Sequence, residues 1–573
     1  MMEATSMRKR PQPTRALSIR HLLLWVALLP AAAPAATFTV TDAGDAPLGG
    51  AVHCNAGSTN CTLRAAIERA NANIDEDTIA FSFGGTPTTL AITQPLPPIT
   101  FPVTIDGYTN GGTPNSAATG TNAVITVRID GAGIALPDTH GISFWPGASA
   151  SVLRGVSITR FGGAGVVAGA NNTPDLELVQ IIGNFIGTDG SGSSNDASGL
   201  LANRWGLLIV NHILSTRVGD GSSSGRNLIV ARADGESIYV GNKSDSTAIN
   251  DNLIGTDTTG NHLRGSAPIG IKLQSNRAVI TGNVIGAQET GIEISNESEW
   301  NTIRSNLIGV GANGNAAIGG GGHGVLIRNI QNINGSFPWY NSVGGLGTNQ
   351  GNTIAYWGGN GIRLHRDTTY VDLPEGNHWQ GNRIHSNGGL AVEVLDTGYA
   401  LGQGLDPAEP QPVWAERLPM IVSATGSKAS TQVHVMLMDS NRPNGTYRVE
   451  AFANPACDAS GYGEGHTFLG AAEVQTGLNG SWAGLLALPP MPAGHTHVAL
   501  TATVIGKNGY RASSEFSRCV AVHVQGDTPG AGGPDGNIAA VPTLGQWGLA
   551  LLSLAIAGAG TVKRRKFGKR YGA

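Results

Sequence analysis

The chain has 573 residues, more than one ordinary core can use, so several domains are expected. Its 83 glycines are about twice the usual share of roughly 7%, and charged residues make up only 13%, which argues for many turns between short strands and against a helical bundle. The formal charge of −4 hides an asymmetry: Arg8, Lys9, Arg10, Arg15 and Arg20 crowd one end and six bases follow Val562, so the body between them is acidic, with no basic stripe for nucleic acid.

Arg8 to His21 is basic, Leu22 to Leu29 is apolar but too short to span a membrane, and Ala33-Pro34-Ala35 supplies small residues for a signal peptidase. This predicts a signal peptide over residues 1–35, cut after Ala35, and an exported protein. Four cysteines fall as two pairs, Cys54 with Cys61 and Cys457 with Cys519, the arithmetic of disulfides in an oxidising compartment. Zinc is the rival reading, opposed by the lack of any CxxC and by the placing of the pairs in different segments.

Thr37 to Asp42 alternates like a strand, and Cys61 to Asn71 reads as one helix capped by Thr62, with Leu63, Ala66, Ile67 and Ala70 as its apolar stripe. This block resembles the CSLREAI domain at the mature N-terminus of many β-helix surface proteins, with Thr62 and Ala65 where that family has Ser and Glu. The resemblance implies an N-terminal cap over residues 36–100, pinned by Cys54–Cys61, that covers the open first coil of a solenoid.

From about residue 101 two phrases alternate. One is N-x-I, beginning at Asn184, Asn227, Asn252, Asn283, Asn306, Asn352 and Asn382, with spacings of 43, 25, 31, 23, 46 and 30 residues. The other is Gly followed by alternating apolar residues, as at Gly270, Gly291, Gly324 and Gly361. The spacings suit a coil of about 22 residues with insertions. Period-2 alternation turns Ile271, Leu273, Ile292, Ile294, Ile362 and Leu364 inward, while Asn stacks at the turns and Gly takes left-handed corners. The phrases resemble the parallel β-helix repeats, and they predict an all-β, right-handed parallel β-helix over residues 101–415.

The repeat stops near Pro410-Gln411-Pro412. Beyond it Gln432–Met438, Thr446–Phe452, Thr467–Val474, Trp482–Leu488, His497–Ile505 and Glu515–Val522 read as strands of an immunoglobulin-like β-sandwich over residues 418–525. Ala456 to Gly465 and Ser514 to Ser517 resemble the sandwich that follows the β-helix in such surface proteins, which Cys457–Cys519 would staple. Residues 526–540 are a Gly/Pro/Asp-rich linker.

The last segment, 541–573, pairs an apolar run, Leu549 to Val562, with Lys563-Arg564-Arg565-Lys566, so the basic cluster should stay cytoplasmic and the body outside. Before the run stand Val541, Pro542, Thr543, Leu544, Trp547 and Gly548, which resemble the IPTLxxWG motif of IPTL-CTERM sorting domains with Val for the leading Ile. That resemblance implies a Gram-negative host, a transient inner-membrane intermediate and an exosortase as processing partner.

Several motifs look chemical. Gly221 to Gly225 matches GxSxG and Gly309 to Gly314 matches GxGxxG, but neither is followed by a helix, so both read as turns. His495 and His497 share one strand face without a third ligand, and Asp189 and Asp257 occupy Ile-Gly-Thr-Asp corners where turn-making competes with Ca²⁺ binding. No catalytic residue, metal site or cofactor is assigned. Aligned Gly phrases give an outward column of Lys272, Glu293, Leu326, Arg363 and Glu393, in which bases alternate with acids as an ion-pair ladder. A polysaccharide lyase or glycoside hydrolase on that face is the alternative function, since glycoside hydrolysis needs two carboxylates about one sugar bond. Binding is favoured because four of the ten Trp and four of the ten Tyr lie between Trp339 and Trp414. Trp339, Tyr340, Tyr356, Trp357, Tyr370 and Trp379 are the candidate glycan-binding residues, aromatic rings being natural partners of sugar C–H faces. The bland alternative is that these rings pack the last coils against the sandwich. The expectation is a non-catalytic surface protein acting in adhesion or binding of a polysaccharide or cell-surface glycan.

Overall fold

Short parallel strands stack coil upon coil from Thr37 to Val394, and longer antiparallel strands follow from Met420. The computed structural model describes residues 35–524 except 56, 170–175, 197–198, 212, 242–243, 297, 329–337, 366–375, 395–417, 441 and 507–510. Among the described residues the solenoid has three parallel sheets: sheet I with eleven strands, sheet II with ten and sheet III with nine. One coil runs Thr302–Arg304 in sheet I, Leu307–Ile308 in sheet II and Val325–Arg328 in sheet III before Ser342–Gly344 returns to sheet I. This is a parallel β-helix.

The N-x-I phrase forms sheet II. Its Ile side chains, Ile229, Ile254, Ile285, Ile308, Ile354 and Ile384, point inward and are buried in one continuous core. Its Asn residues build a ladder from Asn184 to Asn382. Each amide oxygen accepts the backbone N–H of the preceding ladder Asn, as in Asn252 N to Asn283 Oδ1 at 2.9 Å and Asn306 N to Asn352 Oδ1 at 3.0 Å. Each Nδ2 donates to a coil carbonyl, as in Asn283 Nδ2 to Ile249 O at 2.8 Å. Turn groups that would otherwise be buried unpaired are thereby satisfied.

At the first coil the helix Leu63–Ala70 buries Leu63, Ala66, Ile67 and Ala70 in the same core as Phe38, Val40 and Ile79. Thr62 caps it, Oγ1 accepting from Ala65 N at 3.1 Å, and Cys54–Cys61 closes the loop ahead of it. Thr37–Val40, in the stretch that alternates like a strand, and Asp77–Phe81 open sheet I, and Thr88–Ala91 opens sheet II.

The sandwich pairs a four-stranded sheet, Ser481–Leu488, Thr431–Met438, Met420–Gly426 and His523–Val524, with a second sheet built on Thr467–Gln475, Thr446–Asn454, His497–Ile505 and Arg511–Ser513. Alternation in Thr431–Met438 turns Val433, Val435 and Leu437 into its core. The strand expected over Glu515–Val522 is instead broken: Arg511–Ser513 and Val520–Ala521 are the paired pieces, and Ser514 to Cys519 leaves the sheet. The reason lies next door, because Phe516 joins Phe452 and Ala499 in the core of the β-helix. The outer face of the second sheet thus closes the last coil, through an antiparallel bridge of Ile384 with Gly465 and through Trp379 Nε1 donating to Ser514 O at 2.9 Å. Cys457–Cys519 ties the closing loops together.

Candidate functional site

The outward column of sheet III is aligned in register: Lys272 with Glu293, Glu293 with Leu326, Leu326 with Arg363 and Arg363 with Glu393. It is an ion-pair ladder. Arg363 meets Glu393 at 3.1 Å, and Glu293, only 1% exposed, lies 2.8 Å from Arg328 and 4.0 Å from Lys272. Lys272 also reaches Glu236 at 3.2 Å, whose other oxygen accepts from Trp205 Nε1 at 2.7 Å. Each of these carboxylates is therefore held by a base, and Lys272 stands between Glu236 and Glu293. Tyr239, next to Lys272 in the register, has its phenol pKa raised by burial and then by Glu236. Sequence reading passed over Trp205 and Tyr239 because it followed the aromatic density after residue 339, although Tyr239 sits in the strand phrase that aligns with Lys272.

The six aromatic candidates separate. Trp357 is 1% exposed, its ring filling the core beside Gly291, Gly309 and Gly324 and its Nε1 donating to Ile308 O at 3.2 Å. Trp379 is 3% exposed and packs the last coil against the sandwich. Neither offers a ring face to a ligand, because three glycines without Cβ atoms make room for the first indole and the sandwich covers the second. Tyr356 is half-buried and lies edge-on to His385 at 6.2 Å. Tyr370 lies outside the described residues. Trp339 and Tyr340 come together with a residue not singled out before, Trp300. Trp300 and Tyr340 stack with centroids 4.5 Å apart, and Trp339 stands edge-on to Tyr340 at 6.1 Å. Trp300 is 47% exposed, and Trp339 Nε1 is buried with no hydrogen-bond partner. The stack stands at a recurring left-handed corner ahead of the sheet I strands, which holds Leu178, Ser215, Ser246 and Arg277 in other coils. That periodic corner is the signal that could have placed Trp300 with Tyr340, each standing just before an Asn.

The remaining motifs are turns. Asp189 Oδ1 accepts from Ser191 N and Ser193 N at 2.9 and 3.0 Å. Asp257 does the same for Asn261 N at 3.1 Å; burial pushes its pKa up, but hydrogen bonds led by Thr259 and His262 hold it below the ordinary value. In Gly221–Gly225 the Ser222 N–H is taken by Asp220 Oδ1 at 2.8 Å, and Gly314 N closes onto Gly311 O at 2.8 Å. His495 and His497 do not share a strand face: His495 precedes the strand and its Nε2 lies 3.2 Å from His466 Nδ1, while His497 Nδ1 pairs with Thr496 Oγ1 at 2.8 Å. No group of three or more His, Cys, Asp or Glu side chains among the described residues is arranged to hold a metal ion.

The fold thus defines a parallel β-helix protein closed by a β-sandwich, with an ion-paired outer face and an exposed aromatic corner. Its other informative segment is the tail, where residues 539–566 match the IPTL-CTERM motif. The motif marks an exported bacterial cell-surface protein sorted by an exosortase. No curated protein matches the chain. The motif residues Val541 to Gly548 and the apolar run after them lie outside the described residues.

Proposed function

We propose that the chain is displayed at the surface of a Gram-negative bacterium and binds glycans there without cleaving them, as an adhesion protein. Signal peptidase removes residues 1–35 and exosortase processes the tail near Pro542-Thr543, with the inner membrane occupied only in transit. The supporting observation is the stack of the exposed Trp300 on Tyr340, with Trp339 edge-on beside it. An exposed flat aromatic face suits the C–H face of a sugar ring. The alternative, a lyase or glycosidase on sheet III, has to contend with the bases that neutralise Glu236, Glu293 and Glu393.

A glycan-array screen of the exported chain beside its Trp300→Ala/Tyr340→Ala variant tests the binding reading. Retention by the variant of every glycan that the wild-type chain binds, or no binding by either chain, would remove its support. Release of unsaturated uronates or reducing ends from any polymer would overturn the non-catalytic part.

A further inference from the structure

The outward stripe of sheet II changes character along the solenoid. Phe185, Leu228, Leu253, Val284 and Leu307 stack in register, and insertion residues including Tyr108, Ile125 and Ile318 cover them. The next two positions in the same stripe are Thr353 and Arg383. Here the cover ends, and a groove of about 660 Å³ opens between the loop 345–352 and the sandwich. Leu307, Thr353 and Arg383 line it from the stripe, and Arg448, Glu450 and Phe468 line it from the sandwich.

Two guanidiniums are fixed in this groove by their Nε atoms. Arg383 Nε donates to His466 O at 3.1 Å, and Arg448 Nε donates to Glu450 Oε1 at 2.9 Å. The other oxygen of Glu450 accepts Gly381 N at 2.9 Å, so that buried carboxylate is fully committed. The terminal nitrogens of both arginines have no acceptor among the described residues. Glu473, exposed and opposite Arg448 in the register, makes no ion pair with it among those residues. Phe468, 40% exposed, presents a ring at the sandwich end.

We propose that this groove binds an extended saccharide bearing an anionic group, carboxylate or sulfate. A preoriented guanidinium edge holds such a group bidentately, and an exposed ring stacks on the adjoining sugar. The groove also continues the solenoid's stacking direction, so a polymer can lie across successive coils. The site is separate from the Trp300 corner and does not depend on it.

Calorimetric titration of the full chain with a hexagalacturonate, a sulfated chondroitin hexasaccharide and a neutral galactan hexasaccharide tests this. At least one anionic hexamer should bind, more weakly as salt rises, and the neutral one should not. Preference between the two anionic hexamers identifies the group. Arg383→Gln and Thr353→Glu should each weaken binding by about tenfold or more. Arg383→Gln also removes a bond to the sandwich, so Thr353→Glu, checked for an unchanged melting temperature, is the deciding variant. Failure of both anionic hexamers to bind, equal binding of the neutral one, or wild-type affinity in Thr353→Glu overturns the proposal.

Discussion

Trp300 and Tyr340 stack at 4.5 Å with their planes 16° apart, although each is held in left-handed backbone, at φ 61° and 59°. A bulky L-residue at such φ costs about 1–2 kcal/mol that Gly or Asn would largely avoid. Exposed aromatics at a strained corner point to selection for something other than stability. Trp300→Asn should therefore leave thermal stability unchanged or slightly raised while glycan binding falls. A clear drop in melting temperature would show that the stack serves the fold.

The Asn ladder makes a prediction of opposite sign. Asn283 accepts from Asn252 N and Nδ2 and donates to Ile249 O, all in the interior. Asn283→Ala leaves these groups unpaired and should destabilise the solenoid by roughly 3 kcal/mol, far more than alanine at the exposed corner residue Ser246. Denaturant titration of both variants decides. Near-equal midpoints would mean that the ladder contributes little.

At the junction of β-helix and sandwich, stability should depend on pH from both sides. Burial lowers His378 and His385 from 6.5 to about 4, the second with help from His466 and Arg383. It also raises Glu515 from 4.5 to about 8, with Glu393 adding to the effect. The histidines' contribution is present above 6.5 and is lost as pH falls towards about 4. The contribution of Glu515 is present below 4.5 and is lost as pH rises towards about 8. Two imidazoles against one carboxyl place the optimum near pH 6.5. Glu515→Gln, which keeps an acceptor for Val394 N, should flatten the alkaline side and steepen the acid side between pH 4.5 and 6.5. A wild-type melting curve that does not respond to pH between 6.5 and 8 would contradict this.

Processing of the tail can be read by mass. Exported protein from the native host should lack Lys563 to Ala573, and Pro542→Ala with Trp547→Ala should leave an unprocessed membrane form. Intact-mass measurement showing Ala573 in the exported protein would reduce the segment to an anchor.

Much of the architecture was legible because repetition amplifies weak local signals. Period-2 alternation in Gly270-Ile271-Lys272-Leu273, met again at Gly291 and Gly361, is enough to align Lys272 with Glu293 and Arg363 with Glu393. The Thr62-capped helix was legible for the same reason, its four apolar positions marking one face.

What the sequence could not decide was which aromatic side chains are covered. Trp357 and Trp300 look equally available in the chain, yet one fills space left by Gly291, Gly309 and Gly324 and the other stands 47% exposed. Covering depends on insertions and on the neighbouring domain, whose long-range contacts carry no local period. The same holds for Phe516, which alternation assigned to the sandwich and which the open end of the β-helix took for its own core. Local chemistry thus determined the coil, its ladder and its export tail. Only tertiary packing decided where the solenoid ends are closed, and so which Trp, Tyr and Arg residues remain free to meet a ligand.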